Sequence, residues 1–351
     1  MPKALLGLVD IIIWNVRALC MDFANPTAQA IALQGELILA VGLASEISDL
    51  IGPRIQVIDG AGGTLLPGFV ESHCHLFLGG SELGNLDLTK LDQGQDIVAA
   101  IRNFAEARPK RALQMVQGVD YAMLSEGNPC MLLDQMLSDR ARALMSGDHR
   151  TVWANTAALC DCGLLHGGIA STGSKIVMGS DGLATGELRE PDAFAAILKR
   201  AGQDRATLGL STGGEPDPVP SETDRAADRD MLRATAHHLA AQGITSAVNM
   251  DGNLYTLSLL SELDDQGDLP IRVQVAFHFK PNMALSDLDK ASAMNRDWQG
   301  DWLRSGLVKL FMDGVSDSRT AFFAARLPRQ AGQSGRTAFF SQPLRGGSDR
   351  S

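Results

Sequence analysis

Several things are scarce in this 351-residue chain, and each scarcity removes a class of function. Long apolar runs are missing: no stretch approaches the roughly 20 residues that cross a bilayer, so no membrane role is expected. The opening segment ALLGLVDIIIWNV is interrupted by Asp10 and followed by no small-residue cleavage site, so it reads as a strand rather than a signal peptide. Cysteine is sparse and irregular: Cys20, Cys74, Cys130, Cys160 and Cys162 are odd in number, and Cys160 and Cys162 form C-x-C rather than C-x-x-C. A disulfide framework or a zinc ribbon is therefore not expected, and buried thiols in a reducing cytoplasm are. Basic charge is in deficit, with 31 Lys and Arg against 41 Asp and Glu, a formal net charge of −10. That balance argues against nucleic acid and anionic membrane as partners. No G-x-G-x-x-G follows a strand and opens a helix, which excludes a dinucleotide-binding signature, and no repeat of 20–50 residues is found.

What is present is the composition of a folded domain, 45% hydrophobic and 21% charged, long enough for one large domain or two ordinary ones. Residues 9–16, 30–42, 55–60 and 64–66 read as short strands, the second carrying a hairpin signal at Gln-Gly-Glu. A small β region is expected over 1–66. From 67 the character changes to a buried apolar strand, LLPGFVESHCHLFLGG, running into a glycine-rich loop. Helices are expected at 95–107 and 131–145, and a long loop at 203–225. Beyond it, helices at 225–242, 254–266 and 286–299 alternate with strands at 244–250, 271–277 and 307–313, with Gly243 as a C-terminal cap. That alternation predicts parallel βα units.

His73 and His75 stand two apart at the end of the strand that begins near residue 67. Residues i and i+2 of a strand face the same side, so both imidazoles can reach one divalent cation. In a (β/α) barrel the C-terminal strand ends carry the chemistry. An H-x-H pair alone is a weak signal; an apolar strand introduced by Leu-Pro-Gly and followed by Gly79-Gly80 makes it specific.

Those residues carry a resemblance. GGTLLPGFVESHCHL is similar to the first-strand signature of the amidohydrolase superfamily. DHRTVWANTAAL (148–159), ATGELRE (184–190), GITSAVNM (243–250) and VKLFMDGVSDSRTAF (308–322) resemble, in order, blocks of its amidohydrolase-3 or YtcJ-like group. The resemblance implies an α/β fold: a TIM-like (β/α) metal-dependent hydrolase barrel over 67–323, with an insertion at about 80–225, and part of a small β-sandwich over 1–66. It implies one or two divalent metals, usually zinc, that activate water against a non-peptide C–N bond of a small molecule. His73 and His75 correspond to the first two metal ligands. Lys309 corresponds to the lysine that binuclear relatives carboxylate as a bridging ligand and is the catalytic candidate; a strand-end lysine reaching solvent is the alternative. His149, Trp153 and Asn155 match a block near the substrate pocket. Asp313, Glu187 and Glu190 are weaker candidates, His237 and His238 are read as surface residues, and Cys74 as core. A small-molecule substrate is the expected partner, with a homo-oligomer left open.

The chain also departs from the pattern. Only four of eight barrel strands can be placed, about 66–72, 244–250, 271–277 and 307–313, and no histidine follows His278. Residues 324–351 hold five Arg, no Lys and one acidic residue, Asp349, a net charge of +4, leaving −14 for residues 1–323. RTAFF occurs at both 319–323 and 336–340. The expectation is a partial barrel with an out-of-frame tail. The alternative function is a catalytically inactive remnant or an interaction module of the same family.

Overall fold

The structure, a computed structural model, describes residues 8–310 except 92–95, 110, 125–126, 138–139, 171–173, 212 and 281–282. Asp313 and the 324–351 segment lie outside the described residues. The chain divides into two compact units, Met1–Val70 and Glu71–Ser351.

In the first unit a four-stranded sheet sets Leu37–Gly42, Ala30–Gln34, Ile11–Trp14 and Gln56–Asp59 side by side. Ile12 lies at its centre, fully buried with Val9, Ala30, Ala32, Ile47 and Leu50. The hairpin forms at the Gln-Gly-Glu signal: Gln34 pairs with Leu37, and Gly35 turns the chain at φ 52°. Arg17–Leu19, Thr27–Ala28 and Thr64–Leu65 make a second, three-stranded sheet.

The second unit holds the sheet that matters for function. Its strands, in spatial as well as chain order, are β1 (Phe69–Cys74), β2 (Ile244–Asn249), β3 (Arg272–His278) and β4 (Leu303–Lys309). β2, β3 and β4 pair in parallel, as the helix-strand alternation predicts. Helix α1 (Leu76–Glu82) follows β1, α2 (Glu222–Ala241) precedes β2, and α3 (Leu254–Asp265) and α4 (Leu288–Asp297) are the crossovers. Ser221 and Asp224 close a capping box at the start of α2, and Gly243 sits just past its end at φ 81°. Val273, Val275 and Phe277 of β3 pack one face of the sheet onto Leu232 and Ala236 of α2, Leu257, Leu260 and Leu263 of α3, and Met294 of α4. Each such large side chain contributes about 1.5–3 kcal/mol on burial, so this face fixes the sheet and leaves the other for polar groups.

Several expectations need correction. The apolar start of β1 is exposed, Phe69 at 54% and Val70 at 67%, because among the described residues β1 lies at the sheet's edge. Gly79-Gly80 is helical, inside α1. A Cβ on Gly80 would come within 2.4 Å of Thr235 Oγ1 and 2.7 Å of Met231 O, so the glycine is there to let α1 close onto the α2 backbone. The expected helix at 131–145 stops at Leu137, and Arg142–Ser146 is a wholly buried strand. Ala, Leu and Met favour helix locally, but pairing on both edges overrides a propensity of a few tenths of a kcal/mol per residue. That strand belongs to a six-stranded mixed sheet built from residues 86–189, the body of the expected insertion. Part of the expected loop at 203–225 is helical, Asp204–Ser211. β4 begins at Leu303, earlier than the apolar run suggested, because hydrogen bonding to β3 draws in the polar stretch Arg304–Gly306.

Among the described residues no helix is long and apolar enough to cross a membrane.

Candidate metal centre

The C-terminal ends of the four strands converge their polar residues. His73 and His75 lie side by side at the end of β1, ring centroids 5.5 Å apart at 71°. Strand alternation turns Cys74 the other way, where it packs on the core and donates from Sγ to Val248 O at 3.4 Å. Burial pushes its thiol up to about 12, which makes it inert at neutral pH.

Beyond β2, Asp251 is buried and receives His75 Nδ1 at 3.1 Å. Burial raises this carboxyl above its ordinary value, and the bond from His75 opposes the rise. Asn249, buried at the end of β2, accepts the Leu76 N–H at 2.8 Å and donates to Asp251 O. One amide thus ties the start of α1, immediately after His75, to the backbone that carries Asp251. With Nδ1 committed to a carboxylate, His75 keeps Nε2 as its available donor atom, which is how metal-binding imidazoles are oriented.

Lys309, the last residue of β4, brings Nζ within 3.3 Å of His73 Nε2. An ammonium can only donate, so the His73 Nε2 lone pair faces it. Burial lowers the ammonium, and Asp251 opposes the shift. His73 is lowered too, first by burial and then by Lys309. Lys309 is there because of an irregularity in β4. Ser305 pairs with Val275, but Leu307 pairs with Ala276, so Gly306 is an extra residue in the ladder. Unbroken alternation would put residue 309 on the core face with Leu303 and Ser305. The bulge reverses the parity and sets Lys309 opposite His278. Gly306 has φ 129°, and a Cβ would lie 2.8 Å from Asn295 Oδ1. Gly306→Ala is therefore expected to destabilise the unit by roughly 1–3 kcal/mol and to weaken cation uptake, measured by denaturation and metal titration of the same sample.

His278, at the end of β3, is fully buried on the side opposite Phe277. Burial drives its imidazole down to about 3, with Lys280 and Lys309 adding to the fall and a backbone bond at Gly209 opposing it. It is neutral at pH 7. Lys280 is pushed down to about 8 by burial, then by Arg150 and Lys309, against the pull of Asp251.

The remaining sequence candidates lie in the insertion. His149, at φ 59°, brings Nε2 to Glu82 at 3.0 Å, tying the insertion to the last residue of α1. Trp153 is buried and meets Tyr121 edge-on at 5.2 Å. Asn155 is fully buried; it caps helix Thr156–Asp161 by accepting from Ala158 N, accepts from Arg142 N, and donates to Arg140 O. Trp153 and Asn155 thus hold the insertion together, and neither is brought to the histidine pair by these contacts. Glu190 pairs with Arg150 and Glu187 with Arg189. His237 is exposed and pairs with Asp268.

The Glu82 bond raises the His149 imidazolium, so the ion pair stabilises the fold fully below the unfolded value near 6.5 and is lost as pH rises through the folded one. Asp148 adds to the shift, while burial and Arg150 oppose it. The wild-type advantage over His149→Gln in urea denaturation is expected to shrink from pH 6 to pH 8.5. With the imidazole 42% exposed, it stays within about 1 kcal/mol.

Among the described residues, no group of three or more His, Cys, Asp and Glu side chains is arranged to hold a metal ion. The donor set present is of a different kind: two adjacent imidazoles, an amine within 3.3 Å of one of them, and a buried carboxylate behind the other. Imidazole nitrogens suit zinc and its neighbours, and a carboxylate on the far ring nitrogen is the usual supporting contact, so these residues fit a divalent cation. Asp251 and His278 were not among the sequence candidates.

A model of the amidohydrolase family matches residues 56–341. N-substituted formamide deformylase of Arthrobacter pascens is 24% identical over 315 residues, 87% of this chain and 54% of that protein. The amidohydrolase YtcJ of Bacillus subtilis (strain 168) is 24% identical over 303 residues, 84% of this chain and 52% of that one. The chain spans about half the length of the curated relatives it matches. An uncharacterized metal-dependent hydrolase from Pyrococcus horikoshii superposes with a TM-score of 0.60 at 21% identity, over 93% of this chain and 59% of that one, a likeness of fold.

Proposed function

The chain belongs to the amidohydrolase family, and from that premise we propose that it hydrolyses a non-peptide C–N bond of amide type in a small molecule, at a divalent cation held by His73, His75 and Lys309. The observation that carries this reading is the placement of those three side chains at the C-terminal ends of β1 and β4, with Lys309 Nζ 3.3 Å from His73 Nε2 and Asp251 3.1 Å from His75 Nδ1. We further propose that β1–β4 are barrel strands of the hydrolase fold, whose C-terminal ends are where such sites lie.

A bound zinc ion would supply Lewis acidity and a water that ionises near neutral pH. The chain's own residues do the rest. Asp251 accepts the Nδ1 proton of His75 and so presents Nε2 to the cation. Burial biases Lys309 toward the free amine, the form that can ligate directly or take up CO₂ as a carbamate. His278 stays neutral and adds no charge to the site.

The relative named for N-substituted formamides makes that class the first substrate to assay. Purified full chain is expected to take up zinc in titration and to hydrolyse an N-substituted formamide in proportion to metal content. A folded sample that takes up neither zinc nor manganese would refute the reading.

A further inference from the structure

Two short basic segments, far apart in an otherwise acidic sequence, meet at one place in the fold. Arg111 stands ahead of strand Gln114–Val119, and Lys199 and Arg200 close helix Pro191–Arg200. All three line an open cavity of about 430 Å³, to which α1 and the residues just after it, through Asn85, contribute another wall. No carboxylate is among the described residues that line this cavity. Arg200 reaches out of it to Asp161 at 3.2 Å, whereas Lys199 and Arg111 have no carboxylate partner among the described residues. Among the described residues the side-chain acceptor of Arg111 is neutral: its Nη1 donates to Asn85 Oδ1 at 2.9 Å. That bond fixes the orientation of the Asn85 amide and leaves its buried Nδ2 without an acceptor, so its N–H dipoles add to the positive potential. Gly84 makes room for the guanidinium, since a Cβ there would lie 2.9 Å from Arg111 Nη2. Burial and the neighbouring Arg108 lower the Arg111 guanidinium, which is the signature of an uncompensated charge.

We propose that this cavity is a second ligand site, separate from the metal centre, that takes a compact dianion of the phosphate class. The guanidinium fork of Arg111 supplies directional donors, and Lys199 and Arg200 supply charge around the same volume. With Arg200 paired to Asp161, Arg111 and Lys199 leave a charge of +2, which a dianion matches and a carboxylate monoanion does not. The site stands at the far end of α1 from His75, about 10 Å away along a seven-residue helix.

Calorimetric titration of the full chain with inorganic phosphate and with a phosphomonoester, against chloride at equal ionic strength, tests the assignment. Binding of either phosphate species is expected, and whichever binds more tightly identifies the free ion or an ester-borne group as the natural form. The double variant R111Q/K199Q is expected to weaken binding at least about tenfold. Gly84→Ala is expected to weaken it too, with every charge retained, because the new Cβ displaces the guanidinium; circular dichroism of each variant confirms folding. The proposal is overturned if neither species binds, if chloride matches them, or if the variants bind as wild type does. In that last case the phosphate sits elsewhere, the metal centre included, and the reading of the metal centre is unaffected.

Discussion

Replacing His75 by alanine is expected to strip the chain of bound divalent cation and of any hydrolysis that depends on it. The change removes a nitrogen donor and also leaves Asp251, buried at 3% exposure, without the N–H that compensates it. Asp251→Asn is the companion. It keeps the shape and an acceptor oxygen but removes the charge that orients and enriches the imidazole, a change expected to weaken metal affinity by about 10–100-fold rather than abolish it. The order predicted for metal content after dialysis is wild type, then D251N, then H75A at background. Retention of a full complement by H75A would show that the cation is held elsewhere. Because metal ligands must shed their protons, uptake should also fall on acidification.

Phe277→Ala is expected to cost about 3–5 kcal/mol, the largest loss predicted for stability. Phe277 is 2% exposed and sits on the core face of β3, among Val275, Leu257 and Leu260. Truncation leaves a void between the sheet and α3 that α3 cannot collapse to fill while Asn253 caps its start and the parallel ladders to β2 and β4 hold the strand. His278 lies next along the strand on the opposite face, so the same variant should loosen the metal centre without touching a ligand. A chemical-denaturation midpoint unchanged from wild type would contradict the packing described for this face.

The histidine pair was legible because it depends only on local geometry. A strand alternates its side chains whatever surrounds it, so His73 and His75 had to share a face, and Cys74 had to oppose them. The βα rhythm after residue 225 was legible for a similar reason, since helix periodicity and the Gly243 cap are contained in short windows, whereas the Ser221 cap falls in what reads as loop. Asp251 was not. In Met-Asp-Gly-Asn it has the composition of a turn, and only the arrival of β1 beside β2 places His75 against it. His278 closes an apolar run and looks like any strand-end residue until β4 sets Lys309 opposite. Arg142–Ser146 reads as helix because its residues favour that state, and pairing partners on both sides make it a strand.

The chain's own residues, taken alone, determined the family, the imidazole pair and the order of helices and strands, all properties of segments a few to twenty residues long. Tertiary structure decided which groups those imidazoles meet. A carboxylate 176 residues away orients one ring, and a lysine 236 residues away faces the other. The lysine's side of the sheet was set by one extra glycine in a hydrogen-bonded ladder. Register is a relation between two strands, and no single strand contains it.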